Sequence, residues 1–62
     1  MKLVDLYEFV DPEQKFSIYD MNNLLFDCGL MRELDTVTLK ADIYSVSVEP
    51  DMDDTIKIQL QL

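Results

Sequence analysis

The densest group of chemically capable side chains is Glu49, Asp51, Asp53 and Asp54, four carboxylates in one short segment. Carboxylates this close in a tight loop suit a hard divalent cation, which takes several oxygen ligands at once. The segment lacks the glycine and the closing glutamate of an EF-hand loop, and its length matches a hairpin turn. A solvated acidic turn is therefore expected, and no residue is assigned to a metal. Cys28 is the only thiol. With no histidine to activate it and no second cysteine to resolve a redox cycle, it reads as a packing residue of its strand. Asp20 and Asp27 have the residue types of an acid–base pair across a turn, but among thirteen acidic residues such a pairing carries little information. With one glycine, no histidine and no cofactor motif, the chain is not expected to be an enzyme or to hold a cofactor. Tyr19 and Tyr44 offer large, rigid contact area with a polar tip, which suits a binding surface. Together with Glu49, Asp51, Asp53 and Asp54 they form the expected partner-binding set.

These residues depend on a small number of elements. Leu3, Leu6, Tyr7 and Val10 recur at spacings of three and four with Asp5 and Glu8 between them, which predicts a short amphipathic helix over residues 3–10, ended by Asp11-Pro12. Residues 15–20 alternate, Phe16 and Ile18 against Ser17 and Tyr19, and 24–30 is a second strand-compatible run. Asp20 to Asn23 between them reads as a hairpin tip, because asparagine tolerates positive φ. Gly29 marks a bulge or a sharp exit. Residues 30–34 have room for one helical turn, whereas the β-branched residues of 35–39 argue against a long helix. From Leu39 to Ile43 the apolar phase is odd-numbered. From Tyr44 to Val48 it is even, which predicts a bulge or a non-strand boundary between Ile43 and Tyr44. Thr55 to Leu62 alternates cleanly, with Ile56, Ile58, Leu60 and Leu62 on one side, and predicts a strand with one dry face.

The order helix, hairpin, connection, hairpin fits an α+β fold: a short N-terminal helix packed on a four-stranded antiparallel sheet made of two hairpins, all in a single domain over residues 1–62. A terminal strand in that arrangement is expected at a sheet edge, with only Lys57 to discourage pairing, so Thr55, Lys57, Gln59 and Gln61 are the expected self-association edge. A chain of 62 residues buries only roughly 60% of its unfolded surface, which makes a homodimer a natural source of extra stability. One cysteine and no histidine rule out an internal disulfide and an ordinary zinc staple, so packing must hold the fold. Its 48% hydrophobic content is enough for that task. No apolar run reaches the ~18 residues of a membrane span and no signal-peptide core follows Met1-Lys2-Leu3, so a cytoplasmic protein is expected. A net charge of -8 opposes direct binding to nucleic acid or to an anionic membrane; it fits either solubility or a partner protein with a basic surface.

The stretch from Leu6 to Phe26, with Val10-Asp11-Pro12, Phe16-Ser17-Ile18-Tyr19-Asp20 and Leu24-Leu25-Phe26, resembles small uncharacterised proteins of phages and mobile elements of Gram-positive bacteria, as does Ile43-Tyr44-Ser45-Val46-Ser47-Val48 further on. That resemblance implies a bacterial host cell as the setting, a bacterial protein as the partner, and inhibition of that protein, for example a component of a defence system, as the role. Two alternatives stand beside it: an acidic mimic of nucleic acid that occupies a DNA- or RNA-binding groove, and a structural module that self-assembles.

Overall fold

Phe16 and Ile18 on one strand and Ile56, Ile58 and Leu60 on another are the most apolar alternating positions in the chain, and the fold puts these two strands together at its centre. In the computed structural model, which describes residues 1–62, helix α1 (Leu3–Tyr7) is followed by strands β1 (Lys15–Tyr19) and β2 (Leu25–Leu30), a 3-10 turn (Met31–Glu33), helix α2 (Thr36–Leu39), and strands β3 (Ile43–Val48) and β4 (Thr55–Leu60). The four strands form one sheet in the order β2-β1-β4-β3. Both hairpins are antiparallel, but β1 and β4 run parallel, with Phe16 opposite Ile56 and Ile18 opposite Ile58.

The sheet is therefore mixed and not wholly antiparallel. β4 is correspondingly an interior strand, hydrogen-bonded on both sides, and Thr55, Lys57 and Gln59 cannot act as a free self-association edge. Gln61, just past β4, donates its N–H to Asp42 O at 2.9 Å, so it too is tied to the neighbouring strand. The physical reason lies in burial. Two strands with unbroken apolar alternation are best stabilised where neighbours cover both flanks, whereas β2, interrupted by Asp27 and Gly29, tolerates the edge.

Leu3, Phe16, Ile18, Met31, Leu34, Ile58 and Leu60 form the core. Leu6, Tyr7, Val10, Leu39, Ala41, Ile43 and Ile56 pack around it, so the helices and the 3-10 turn lie over one face of the sheet. α1 is shorter than its apolar spacing suggests, ending at Tyr7, although Val10 still reaches the core. The β1–β2 tip has Asn23 at φ 63, and Asp20 Oδ1 accepts from the N–H groups of Asn22 and Leu24. Gly29, at φ +145, lies where β2 gives way to the 3-10 turn, a conformation glycine adopts without strain. The bulge of that hairpin is elsewhere: Ile18 pairs with Asp27 and Tyr19 with Leu25, which leaves Phe26 as the extra residue. The expected phase change in β3 is present, since Ile43 pairs with Leu60 and Ser45 with Gln59, with Tyr44 between them unpaired. No helix is long and apolar enough to cross a membrane.

Because β4 is bonded on both sides, Gln59→Pro should abolish folding, not merely change association. Proline removes a ladder hydrogen bond and is tolerated essentially on edge strands. A domain of this length has only about 0.05–0.15 kcal/mol of stability per residue to lose. Far-UV circular dichroism and urea unfolding should show no cooperative transition; a folded variant with the wild-type midpoint would place β4 at an edge.

Candidate functional site

On the face of the sheet opposite the core, the β3–β4 turn folds back toward β1 and β2. Met52 and Glu49 close this turn: Glu49 N donates to Thr55 O at 2.9 Å, and Met52 N donates to Glu49 O at 3.2 Å. Thr55 is buried although it faces away from the core, and its Oγ1 donates to Asp54 Oδ1 at 3.1 Å and contacts Met52 Sδ at 3.6 Å. Gln14 Nε2 donates to Asp54 O at 2.7 Å, and Lys15 Nζ reaches Asp54 Oδ2 at 3.0 Å, so the turn is anchored to the start of β1.

Between turn and sheet lies a cleft of about 360 Å³, lined by Ser17, Tyr19, Leu25, Cys28, Met52 and the two carboxylates Glu49 and Asp51, together with Phe16 and Gly29. Strand register explains the grouping, since Ser17 stands opposite Cys28 and Tyr19 opposite Leu25, which places these side chains on one face. Tyr19 is fixed from two directions. Its hydroxyl donates to Glu49 Oε2 at 3.2 Å, and Lys57 Nζ lies 4.9 Å from its ring centroid, within cation–π range. Partial burial pushes the Tyr19 phenol above its ordinary 10.0, and the hydrogen bond and negative charge of Glu49 push it further, with smaller contributions from Asp51 and Cys28.

Of the expected partner-binding residues, the fold brings together Tyr19, Glu49 and Asp51. Tyr44 lies on β3, outside this cleft. Asp54 is committed to Lys15 and Thr55, which hold its carboxyl below 3.8, and Asp53 is exposed on the turn outside the cleft lining. Nowhere do three or more carboxylate, thiol or imidazole groups converge as metal ligands. Cys28 is exposed, not packed in a core, because the edge strand β2 turns it to the outer face. Leu25, Cys28 and Met52 were missed as cleft residues. Alternation along Leu24 to Leu30 hinted at a two-faced strand, but nothing in the sequence signals that the acidic turn folds over it.

Most of the acidic residues serve the fold itself. Asp5, Asp11, Asp20, Asp27, Glu33 and Asp35 each accept a hydrogen bond from a nearby backbone N–H. Glu13, Asp42 and Asp54 pair with Arg32, Lys2 and Lys15. Asp20 and Asp27 are thus local caps within one hairpin. Asp35 caps α2 through Thr38, whose hydrogen bonds hold its carboxyl below 3.8. Glu8, Asp51 and Asp53 make none of these contacts.

Comparison with protein-family models, with curated proteins and with solved structures finds no match to this chain.

Two pH effects follow. A raised phenol stabilises the fold fully below its unfolded value of 10.0, and that stability is lost as pH rises through the folded value. In an absorbance titration the component lost with Tyr19→Phe should ionise above 10.0, and Glu49→Gln should bring it part of the way back, since burial remains. Unchanged titration in that variant would remove Glu49 from the site. At the acid end the sign reverses: the depressed Asp35 and Asp54 carboxyls contribute stability above 3.8 that is lost as pH falls through their folded values. Asp35→Ala should flatten the acid limb of a pH-dependent unfolding series; an unaltered limb would show that the cap contributes nothing.

Proposed function

We propose that this chain is a non-catalytic protein-binding module whose cleft receives a basic side chain from the surface of a partner protein. The observation that carries the reading is the cleft's composition: an apolar lining of Leu25, Met52 and the Tyr19 ring, with Glu49 and Asp51 beside it. A lysine or arginine has the matching anatomy, an apolar stem that packs along Leu25 and Met52 and a cationic head that meets the carboxylates. Asp51 is the residue available for that head, as Glu49 already accepts from Tyr19 and Asp51 makes no ion pair.

The resemblance to phage and mobile-element proteins makes a bacterial protein, for example a defence component, the expected partner, and inhibition by occupying its surface the expected effect. Mimicry of a nucleic-acid backbone draws less support from the geometry. Its charge would have to act as a phosphate-like array, whereas most carboxylates here are spread among turns as caps and ion pairs.

The test is affinity capture from a bacterial lysate at low and high salt with the wild-type chain and with Asp51→Lys, whose fold is checked by circular dichroism. One partner should be retained by the wild type, weakened by salt, and lost with Asp51→Lys. Equal capture by a folded Asp51→Lys, or no saturable partner at either salt concentration, would contradict the cleft reading.

A further inference from the structure

The two outer strands of the sheet are built differently. β2 is poorly suited to further pairing: Phe26 is bulged out of register, Asp27 puts a charge inside the strand, and Gly29 sits at φ +145. Interruptions of this kind are how natural sheets blunt an edge. β3, Ile43-Tyr44-Ser45-Val46-Ser47-Val48, has a bulge at Tyr44 near its bridged end, but it has no charge, no proline and no glycine, and Ser45 to Val48 keep a regular register with β4.

Only the beginning of β3's outer side is occupied. Ile43 N donates to Met1 O at 2.8 Å, Leu3 N donates to Ala41 O at 2.9 Å, and Lys2 forms an isolated antiparallel bridge with Asp42. Beyond Ile43 that side is open. Glu49 N bonds inward to Thr55 O, so by antiparallel alternation Ser47 and Ser45 also direct their backbone groups to β4, and Val46 and Val48 direct theirs outward. The side chains tell the same story. Val46 and Val48 pair with Ile58 and Ile56 and so share the core face, yet they are 44% and 63% exposed because nothing covers the sheet there.

We propose that this edge is closed by a second copy of the chain, the two β3 strands pairing antiparallel about Val46 to give one continuous sheet of two protomers. In that register Val46 meets Val46 of the second copy and Ser45 meets Ser47, so apolar and hydroxyl side chains stay on their own faces, and the bulged Tyr44 lies at each end beside Val48. Asp42 and Ile43 are already paired with Lys2 and Met1 of their own chain, so the ladder between copies is confined to residues 44–48 and contains no carboxylate. The length of the open segment selects the occupant. Met1 to Leu3 block it on one side and Pro50 follows on the other, so a strand bounded in the same way fits and a longer extended segment meets the N-terminal residues. The surface is distinct from the cleft, and the inference does not rest on the function proposed above.

The experiment combines sedimentation velocity over a range of concentrations with residue-resolved amide exchange on the wild type, Val46→Lys and Leu25→Lys. The wild type should sediment as a dimer that dissociates on dilution, and the Val46 and Val48 amides should exchange at least about tenfold more slowly at high concentration than at low. Val46→Lys, which sets like charges opposite each other on the two-fold, should be monomeric, and Leu25→Lys, a cleft variant on the opposite edge strand, should remain dimeric. A wild type that stays monomeric at every concentration, a dimer in which Val46 and Val48 exchange freely, or a dimer that survives Val46→Lys would overturn the proposal. Should Val46→Lys fail to fold, the concentration dependence of the wild-type Val46 and Val48 amides decides alone. Loss of partner capture with Leu25→Lys while the dimer persists, or the reverse, separates failure of the cleft from failure of the edge.

Discussion

The parallel pairing of β1 with β4 is the constraint on which the rest of the molecule depends. It places Phe16, Ile18, Ile56 and Ile58 side by side under α1 and the 3-10 turn, and with Leu3, Met31, Leu34 and Leu60 these make up nearly all of the apolar interior. Parallel neighbours cannot be joined by a tight turn, so the whole chain from β2 through β3 serves as the crossover between them. Everything else follows from that placement. β2 and β3 become the two edges, the β3–β4 turn is carried back toward the end of the sheet where β1 begins, and the cleft forms beneath it.

A second consequence concerns charge. The chain has a single glycine and two prolines, so its many direction changes cannot rest on the residues that usually make turns. Carboxylates take that role. Asp11 and Asp20 close turns through backbone N–H groups two residues on, Asp35 caps α2, and Glu33 reaches back to Leu30 N at the start of the 3-10 turn. A good part of the net charge of -8 is thus explained by folding before any partner is invoked. Outside those contacts stand Glu8, Asp51 at the cleft and Asp53 beyond it.

Much of this was legible in the sequence wherever the signal is local. The alternation of Thr55 to Leu62, the Asp20 to Asn23 tip and the phase change after Ile43 each reflect side-chain periodicity or the backbone preference of one residue; the tip and the phase change appear where expected, and the strand is present but ends at Leu60, leaving Leu62 exposed. Strand order was not legible. Ile56, Ile58 and Leu60 alternate identically whether the strand lies at an edge or at the centre, and whether its neighbour runs parallel or antiparallel. The same limit hid the cleft: Tyr19, Glu49 and Asp51 carried recognisable binding chemistry, but Leu25, Cys28 and Met52 join them only through the three-dimensional course of the turn. Asp54 drew notice for its charge, and Lys15 accounts for it.

The central strand pair admits a direct measurement: cross-strand nuclear Overhauser effects in the isotopically labelled protein. The account predicts the parallel pattern between residues 15–19 and 55–59, with Ile18 adjacent to Ile58 and the β4 backbone also in contact with Ser45 and Ser47. Close Hα–Hα contacts of antiparallel type between β1 and β4, or a β4 in contact with only one neighbour, would contradict the strand order and with it the placement of the cleft and of both edges.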